Sequence, residues 1–182
     1  MNNIMQALHT DHVNFSRLLD ILTENLQTLQ DGGRPDYTAM LDVIEYLEDY
    51  ADLYHHPKED AIYEICLERN PEARAVIAEL MQQHHALKQS TEGLRRTLEG
   101  LLHDAVIPKA QFITQLADFI ERQTVHLDAE EANIFSFLNL QLTAKDWARI
   151  EAMIPSRADP LFGGAPARCY PALSEWLAEP CC

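Results

Sequence analysis

The amino-acid sequence predicts an all-α protein: an antiparallel, up-down-up-down four-helix bundle with a short fifth helix and an irregular C-terminal tail. Apolar residues recur at helical spacing along four long segments, and turn-forming residues separate these segments. Glycine is scarce, with 6 in 182 residues, so little interrupts the segments. Long amphipathic helices joined by short connections favour antiparallel packing of neighbours.

The four long segments can be bounded from the sequence. The first covers residues 3–30, and the second covers residues 36–69. Pro57 lies inside the second segment, where it removes one helical hydrogen bond and is expected to kink the helix. The third segment, residues 71–103, begins with a proline, which is favoured in a first helical turn. The fourth covers residues 108–140.

The remaining residues predict a small C-terminal addition to the bundle. Thr143 is a suitable N-cap for a short helix that runs through Ile154. From Pro155 onward the chain is rich in proline, glycine and alanine, which favours irregular structure. We therefore divide the chain into a bundle, residues 1–141, and a short helix plus irregular tail packed on it, residues 142–182.

Composition limits the classes of partner. The formal net charge of −15 gives no electrostatic basis for binding nucleic acid or an anionic membrane. No apolar run is long enough to span a bilayer, and no signal peptide is visible, so we expect a cytoplasmic protein. The four cysteines show no CxxC spacing and are expected to be reduced. Cys66 is expected in the core, whereas Cys181 and Cys182 form either a redox or metal-handling pair or a frayed terminus.

Two histidine–glutamate pairs stand out in the second and fourth segments. His55 precedes Glu59 by four residues, and His126 precedes Glu130 by four residues. On a helix, each pair shares one face at a separation of about 6 Å. Both faces are otherwise apolar, and a carboxylate in an apolar interior is costly unless a cation meets it. The pairs therefore predict a metal site inside the bundle.

The bundle topology brings further histidines to the same place. Counted from the turns, one histidine of each segment falls at a common level, to within roughly 1.5 Å of helix rise. The two glutamates lie one turn further on, and they would repel each other without a cation. Four hydrogen-bonded core histidines in a purely structural bundle would leave that repulsion uncompensated. The predicted ligands are His12, His55, Glu59, His84, His126 and Glu130.

This set of ligands indicates the kind of metal centre. Mixed nitrogen and oxygen donors in a bundle core suit iron, manganese or zinc, and two bridging carboxylates suit a dinuclear centre better than a single ion. The other histidines fail the same test of helix face, because His56 and His85 fall on largely solvated sides, His9 is ambiguous and His103 is near a loop. Glu131 stays open as an alternative to its neighbour Glu130.

Four stretches, in order, resemble the motifs of the hemerythrin-like (HHE cation-binding) family: His12, HHPKED at residues 55–60, QHHAL at residues 83–87 and HLDAEE at residues 126–131. The resemblance covers residues 4–140. It implies a non-haem di-iron centre, oxo- or hydroxo-bridged, in which Glu59 and Glu130 bridge two irons and the four histidines are terminal ligands.

The resemblance is incomplete at one position. Oxygen-carrying hemerythrins have a histidine four residues after the first on their third helix, whereas this chain has Lys88 there. The set is more similar to bacterial proteins that repair iron centres under nitrosative or oxidative stress. We therefore expect a di-iron protein that binds or reacts with O2, NO or peroxide in a stress response. Reversible O2 binding or sensing, and iron handling for repair, are the alternatives.

Overall fold

The structure is a computed structural model that describes residues 2–154, 157–163 and 170–178. Its helices, in chain order, are α1 (Asn3–Gln30), α2 (Tyr37–Tyr46), a first π-helix (Leu47–His55), α3 (His56–Arg69), a 3₁₀-helix (Pro71–Ala73), α4 (Arg74–Leu102), α5 (Lys109–Ala129), a second π-helix (Glu130–Ile134), α6 (Phe135–Gln141), α7 (Ala144–Met153) and α8 (Pro171–Ala178). These residues contain no strand, which confirms the all-α prediction for the part of the chain described.

Four long helical stretches form the body of the molecule. They are α1, then α2 to α3, then α4, and finally α5 to α6. Helix α1 packs on α5 and α2, and α4 packs on the same two helices, so each stretch contacts two others. The buried apolar residues form two clusters, and along α1 Leu8 belongs to one and Phe15 to the other. His12 lies between them, which places the predicted site in the middle of the core.

The two π-helices were not predicted. The backbone N–H of His56 donates to the carbonyl of Ala51, and that of Phe135 donates to the carbonyl of Glu130, five residues back in each case. A π-turn holds more residues than an α-turn, so the side chains beyond it change face relative to an ideal α-helix. Pro57, expected to disturb this helix, is the second residue of α3, so only His56 separates it from the first π-helix. Each π-helix therefore adjoins one of the two histidine–glutamate pairs.

Helix α7 begins as predicted. Thr143 is its N-cap, and its side chain accepts a hydrogen bond from the backbone N–H of Asp146. The Asp146 carboxylate in turn accepts from the backbone N–H of Thr143 at 2.8 Å, which completes a capping box. Trp147 is buried in the cluster that contains Leu8, and α7 packs on α3.

The prediction of an irregular tail is wrong for residues 171–178, which form α8. Pro171 begins this helix, where a missing backbone N–H loses nothing. Leu173 is fully buried, and its backbone N–H donates to Asp42 Oδ2 of α2 at 3.1 Å. The prediction weighted the proline, glycine and alanine content of the preceding residues and missed the helix-forming stretch behind them.

The remaining expectations about the chain concern membranes, cysteines and domains. Among the described helices, none combines the length and apolarity needed to cross a bilayer. Cys66 is a buried free thiol in the core, as expected. Cys169, Cys181 and Cys182 lie outside the described residues. The division of the chain after residue 141 stays a prediction.

Candidate metal centre

The structure brings all six predicted ligands together in the buried middle of the bundle. His55, Glu59 and Glu130 are completely buried, and His84 has the largest exposed fraction of the six, at 5%. Of the predicted ligands, His12 lies on α1, His55 at the end of the first π-helix and Glu59 on α3. His84 lies on α4, His126 on α5 and Glu130 at the start of the second π-helix.

Glu59 lies between two sets of imidazoles. Its Oε1 atom is 3.4 Å from Nε2 of His12 and 3.3 Å from Nε2 of His55. Its Oε2 atom is 3.5 Å from Nε2 of His84. The two oxygens of the Glu59 carboxylate therefore face different histidines: Oε1 faces His12 and His55, and Oε2 faces His84.

Glu130 divides its oxygens between partners in a similar way. Its Oε2 atom is 3.4 Å from Nε2 of His12 and 3.3 Å from Nε2 of His126. Its Oε1 atom is 3.2 Å from Nε2 of His84 and accepts a hydrogen bond of 2.5 Å from the Tyr63 hydroxyl. Two carboxylates that each face several imidazoles have the layout needed to bridge two cations.

His56 was placed on a solvated side by sequence reasoning, and the structure corrects this. Its exposed fraction is 3%, and its ring stacks on that of His84 at 4.5 Å between centres. The first π-helix is the reason, because its wider turn brings His55 and His56 both into the core. Potential donor atoms fall within 4.8 Å of one another in two groups, of which one is His12, His55 and Glu59 and the other is His56, Glu59, His84 and His126. His56 therefore adds a fifth imidazole to the four predicted ones, although Lys88 occupies the position of the fifth histidine of oxygen carriers.

The outward Nδ1 atom of each predicted histidine meets an oxygen from another helical stretch. The Nδ1 atom of His12 is 2.9 Å from a carboxylate oxygen of Glu131, and that of His55 is 3.0 Å from a carboxylate oxygen of Asp11. The Nδ1 atom of His84 is 2.8 Å from a carboxylate oxygen of Asp60, and that of His126 is 3.1 Å from the amide oxygen of Gln83. An oxygen on Nδ1 selects the tautomer with a hydrogen there and leaves the Nε2 lone pair directed inward. This arrangement is typical of histidines that bind metals.

These orienting residues form a closed ring, because each is the chain neighbour of one ligand and supports a ligand on a different helical stretch. Asp11 precedes His12, Gln83 precedes His84, Asp60 follows Glu59 and Glu131 follows Glu130. Sequence reasoning did not assign the first three. Their signal was a polar residue directly beside each predicted ligand. Glu131, left open as a ligand, is one-third exposed and holds the outward nitrogens of His12 and His9.

His56 has its own buried carboxylate. Oδ1 of Asp52, one turn earlier, is 3.2 Å from His56 Nδ1, although the geometry is not that of a hydrogen bond. Burial raises the pKa of Asp52 to about 6. Burial also lowers the pKa of His56 well below its usual value, which keeps the imidazole neutral. A neutral imidazole is the form that coordinates a metal.

The inward donor atoms lack adequate partners in the part of the chain that the structure describes. Nε2 of His12 and Nε2 of His55 face each other at 3.1 Å, and two lone pairs at that distance require a cation or a proton between them. Among the described residues, no hydrogen-bond partner is found for four of these atoms: both oxygens of Glu59, Oε2 of Glu130 and Nε2 of His126. Unpaired buried polar atoms are costly, and these converge on one place. The residues therefore fit a bound cation.

The charges of the metal-free site support the same interpretation. Burial opposes protonation of His12 and His84, but nearby carboxylates outweigh it and raise the pKa of each to about 10. Burial lowers the pKa of His126 to about 4. Burial alone would raise the pKa of Glu59, yet the positive charges of His55 and His12 lower it well below 4.5. The pKa of His55 is raised as well, so imidazolium charges on His12, His55 and His84 balance the carboxylates when no metal is present.

A cavity of about 180 Å³ adjoins the site from outside, between α4 and α5. Its lining includes His126, Gln83 and the apolar side chains of Leu87 and Val125, with Arg122 beside them. Because His126 is also a candidate ligand, the cavity reaches the edge of the site. Its volume suits a small molecule of a few atoms.

The third-helix ligand can be tested by a matched pair of variants. The structure buries His84 and exposes His85, whose only described hydrogen bond is to Gln89. We expect His84→Ala to reduce the metal affinity of the protein by at least about tenfold, and His85→Ala to leave it unchanged. The measurement is the metal content of both variants after dialysis against a chelator. Loss of metal in His85→Ala alone would contradict this assignment.

Comparison with known proteins adds one finding. The family model for the hemerythrin HHE cation binding domain matches residues 3–138, which include every candidate ligand. No curated protein and no solved structure gives a significant match.

Proposed function

Because this chain belongs to the hemerythrin HHE cation-binding family, we propose that it holds two iron ions that bind or react with O2, NO or peroxide. One observation carries the proposal: two carboxylates lie between two groups of inward imidazole nitrogens. His12 and His55 would hold one ion and His56, His84 and His126 the other, with Glu59 and Glu130 between them. This is five imidazoles, with His56 added to the four predicted from the sequence.

The chemistry follows from the donors. Two irons held there would supply redox-active centres with a position open to a small ligand, because one ion has only two imidazoles. The ring of orienting residues fixes the directions of the histidines. Tyr63 orients Glu130 through its hydrogen bond to Oε1. The two apolar clusters on either side keep bulk water away from the site.

The surrounding fold fits the same proposal. Short turns join the four stretches and each stretch contacts two others, which supports an antiparallel, up-down-up-down bundle. The cavity beside His126 has a volume suited to a diatomic molecule or peroxide. The oxo or hydroxo bridge, the stress-response role and the cytoplasmic location stay predictions.

The test is metal analysis of the purified protein together with absorption spectra before and after addition of O2, NO and peroxide. We expect two irons per chain and a visible or near-ultraviolet band that changes with at least one of these ligands. Reversible spectra without product would favour O2 binding or sensing, and turnover with a reductant would favour an enzyme. Transfer of chelatable iron to an acceptor would favour repair. Fewer than two irons, or spectra insensitive to all three ligands, would contradict the proposal.

His56 provides a separate prediction. Its replacement by alanine removes one imidazole from the group that contains His84 and His126, but leaves the other group intact. We expect His56→Ala to weaken binding of one iron by at least about tenfold and to alter the absorption spectrum. Calorimetric titration with Fe(II) under anaerobic conditions measures this, with exposed His85→Ala as the control. Unchanged affinity at both positions would show that His56 is not a ligand.

A further inference from the structure

Three tyrosines form a row of neighbouring rings along the second helical stretch, with the first pair stacked and the second pair tilted. The rings of Tyr46 and Tyr50 lie 5.6 Å apart between centres, and those of Tyr50 and Tyr54 lie 5.4 Å apart. Tyr46 and Tyr50 are buried, whereas Tyr54 is half-buried. The row therefore leads from the core to the surface.

The middle tyrosine of the row, Tyr50, lies beside the candidate metal centre. The hydroxyl of Tyr50 donates a long hydrogen bond, 3.4 Å, to Oδ1 of Asp11. The other oxygen of the same carboxylate holds Nδ1 of His55 at 3.0 Å. Phe15 fills the space between, with its ring centre 4.9 Å from that of His55 and 6.3 Å from that of Tyr50. One carboxylate thus connects a tyrosine to a candidate iron ligand.

Packing alone does not account for this arrangement. Phenylalanine would fill the same space without a buried hydroxyl, whose presence requires a partner. Here the partners are carboxylates, since Tyr46 donates to Asp159 at 2.9 Å and Tyr50 donates to Asp11. Burial, followed by these carboxylate charges, raises the pKa of both phenols, so they stay protonated at neutral pH. A phenol beside a base can lose an electron and a proton together.

We propose that Tyr50 and Tyr54 form a relay that carries single electrons from the protein surface to the metal centre. This inference rests on the proposed function, because the centre must hold iron that peroxide has oxidised. Peroxide takes two electrons and two protons and gives two waters. The relay returns electrons to the iron one at a time, and their source is a small one-electron reductant in solution, for which ascorbate is the probe.

Each step of the relay balances. The O–H bond of Tyr50 breaks. One electron from Tyr50 lowers the oxidation state of the oxidised iron by one, and the proton of Tyr50 passes to Asp11. Tyr54 then gives an electron to the Tyr50 radical, which recovers its proton from Asp11, while the Tyr54 proton leaves to water. Ascorbate finally transfers a hydrogen atom to the Tyr54 radical and becomes the ascorbyl radical.

The experiment uses the iron-loaded protein, peroxide and a nitroso spin trap, with adducts located by mass spectrometry of peptides. We expect adducts at Tyr54 in the native protein and a severalfold loss of them in Tyr50→Phe, which keeps the ring but not the hydroxyl. Tyr37→Phe is the matched control, because Tyr37 is half-buried on the same stretch and packs on Phe112 outside the row. Adducts at Tyr37 in the native protein report oxidants that diffuse freely.

A second measurement follows the iron itself. After peroxide oxidises the iron, we expect ascorbate to reduce it severalfold more slowly in Tyr50→Phe than in the native protein, at equal iron content. A chain that binds no iron would overturn the proposed function and the relay with it. Full iron content with equal Tyr54 adducts and equal rates of iron reduction in native and Tyr50→Phe proteins would overturn the relay alone.

Discussion

Replacing both Glu59 and Glu130 by alanine is expected to abolish tight binding of both metal ions. Each carboxylate faces histidines of more than one helix, so the double variant removes the anionic charge shared by the two positions. The thermal stabilisation that metal gives to the native protein should disappear as well, because only a ligand of the folded state stabilises it by mass action. Metal content after gel filtration, and the midpoint of thermal unfolding with and without metal, measure the two effects.

The single variants and a surface control sharpen this prediction. Glu59→Ala alone should retain fewer than two metals per chain. Glu64→Ala is the control, because Glu64 is exposed on the same helix, α3, and should retain both metals. Two tightly held metals in the double variant would rule out the carboxylate bridges.

The metal-free protein is expected to lose stability steeply as the pH rises above 6.5. The folded-state pKa of His12 and of His84 is raised from 6.5 to about 10, so both bind a proton that the unfolded chain has released. This contribution is complete below pH 6.5 and is lost as the pH rises through 10. Because each pKa unit corresponds to about 1.4 kcal/mol, the two groups together imply a loss of several kcal/mol. A fall in Tm on the order of 10 °C between pH 6.5 and 9.5 is the expected result.

The metal-loaded protein serves as the control for this pH dependence. Metal replaces the protons on the histidines, so its binding strengthens as the pH rises and the fall in Tm should vanish. The acid side is a poorer test, because the lowered pKa of His126 and the raised pKa of Asp52 act in opposite directions there. A flat stability profile between pH 6.5 and 9.5 without metal would show that His12 and His84 are not held as imidazolium in the folded chain.

The extent of the long helices and the buried positions of the six candidate ligands could be inferred largely from periodicity. The predicted first segment coincides with α1, Asn3–Gln30. On the third stretch, His84 is buried and His85 is exposed, as predicted. A histidine on the apolar face of a regular helix faces the core, so the period of 3.6 residues per turn predicts which histidines are buried. This worked best where the helix is regular, as in α1 and α4.

The two failures have different physical causes. His56 was assigned to the surface because the sequence does not show that residues 47–55 adopt a π-helix. Helix α8 was missed because it is held by contacts with α2, such as the bond from Leu173 to Asp42, that are invisible until the chain is folded. One-dimensional patterns carry little information about such tertiary contacts.

The ring of orienting residues makes the site an interlocked assembly. Asp11 supports His55, Asp60 supports His84, Gln83 supports His126 and Glu131 supports His12, so support passes from stretch to stretch and returns to its origin. If one helical stretch moves outward, the site loses the candidate ligand on that stretch. The candidate ligand on the next stretch also loses the hydrogen bond that orients it. We therefore expect disorder at one of these contacts to spread to the others, so that any bound metal is released in one cooperative event and not gradually.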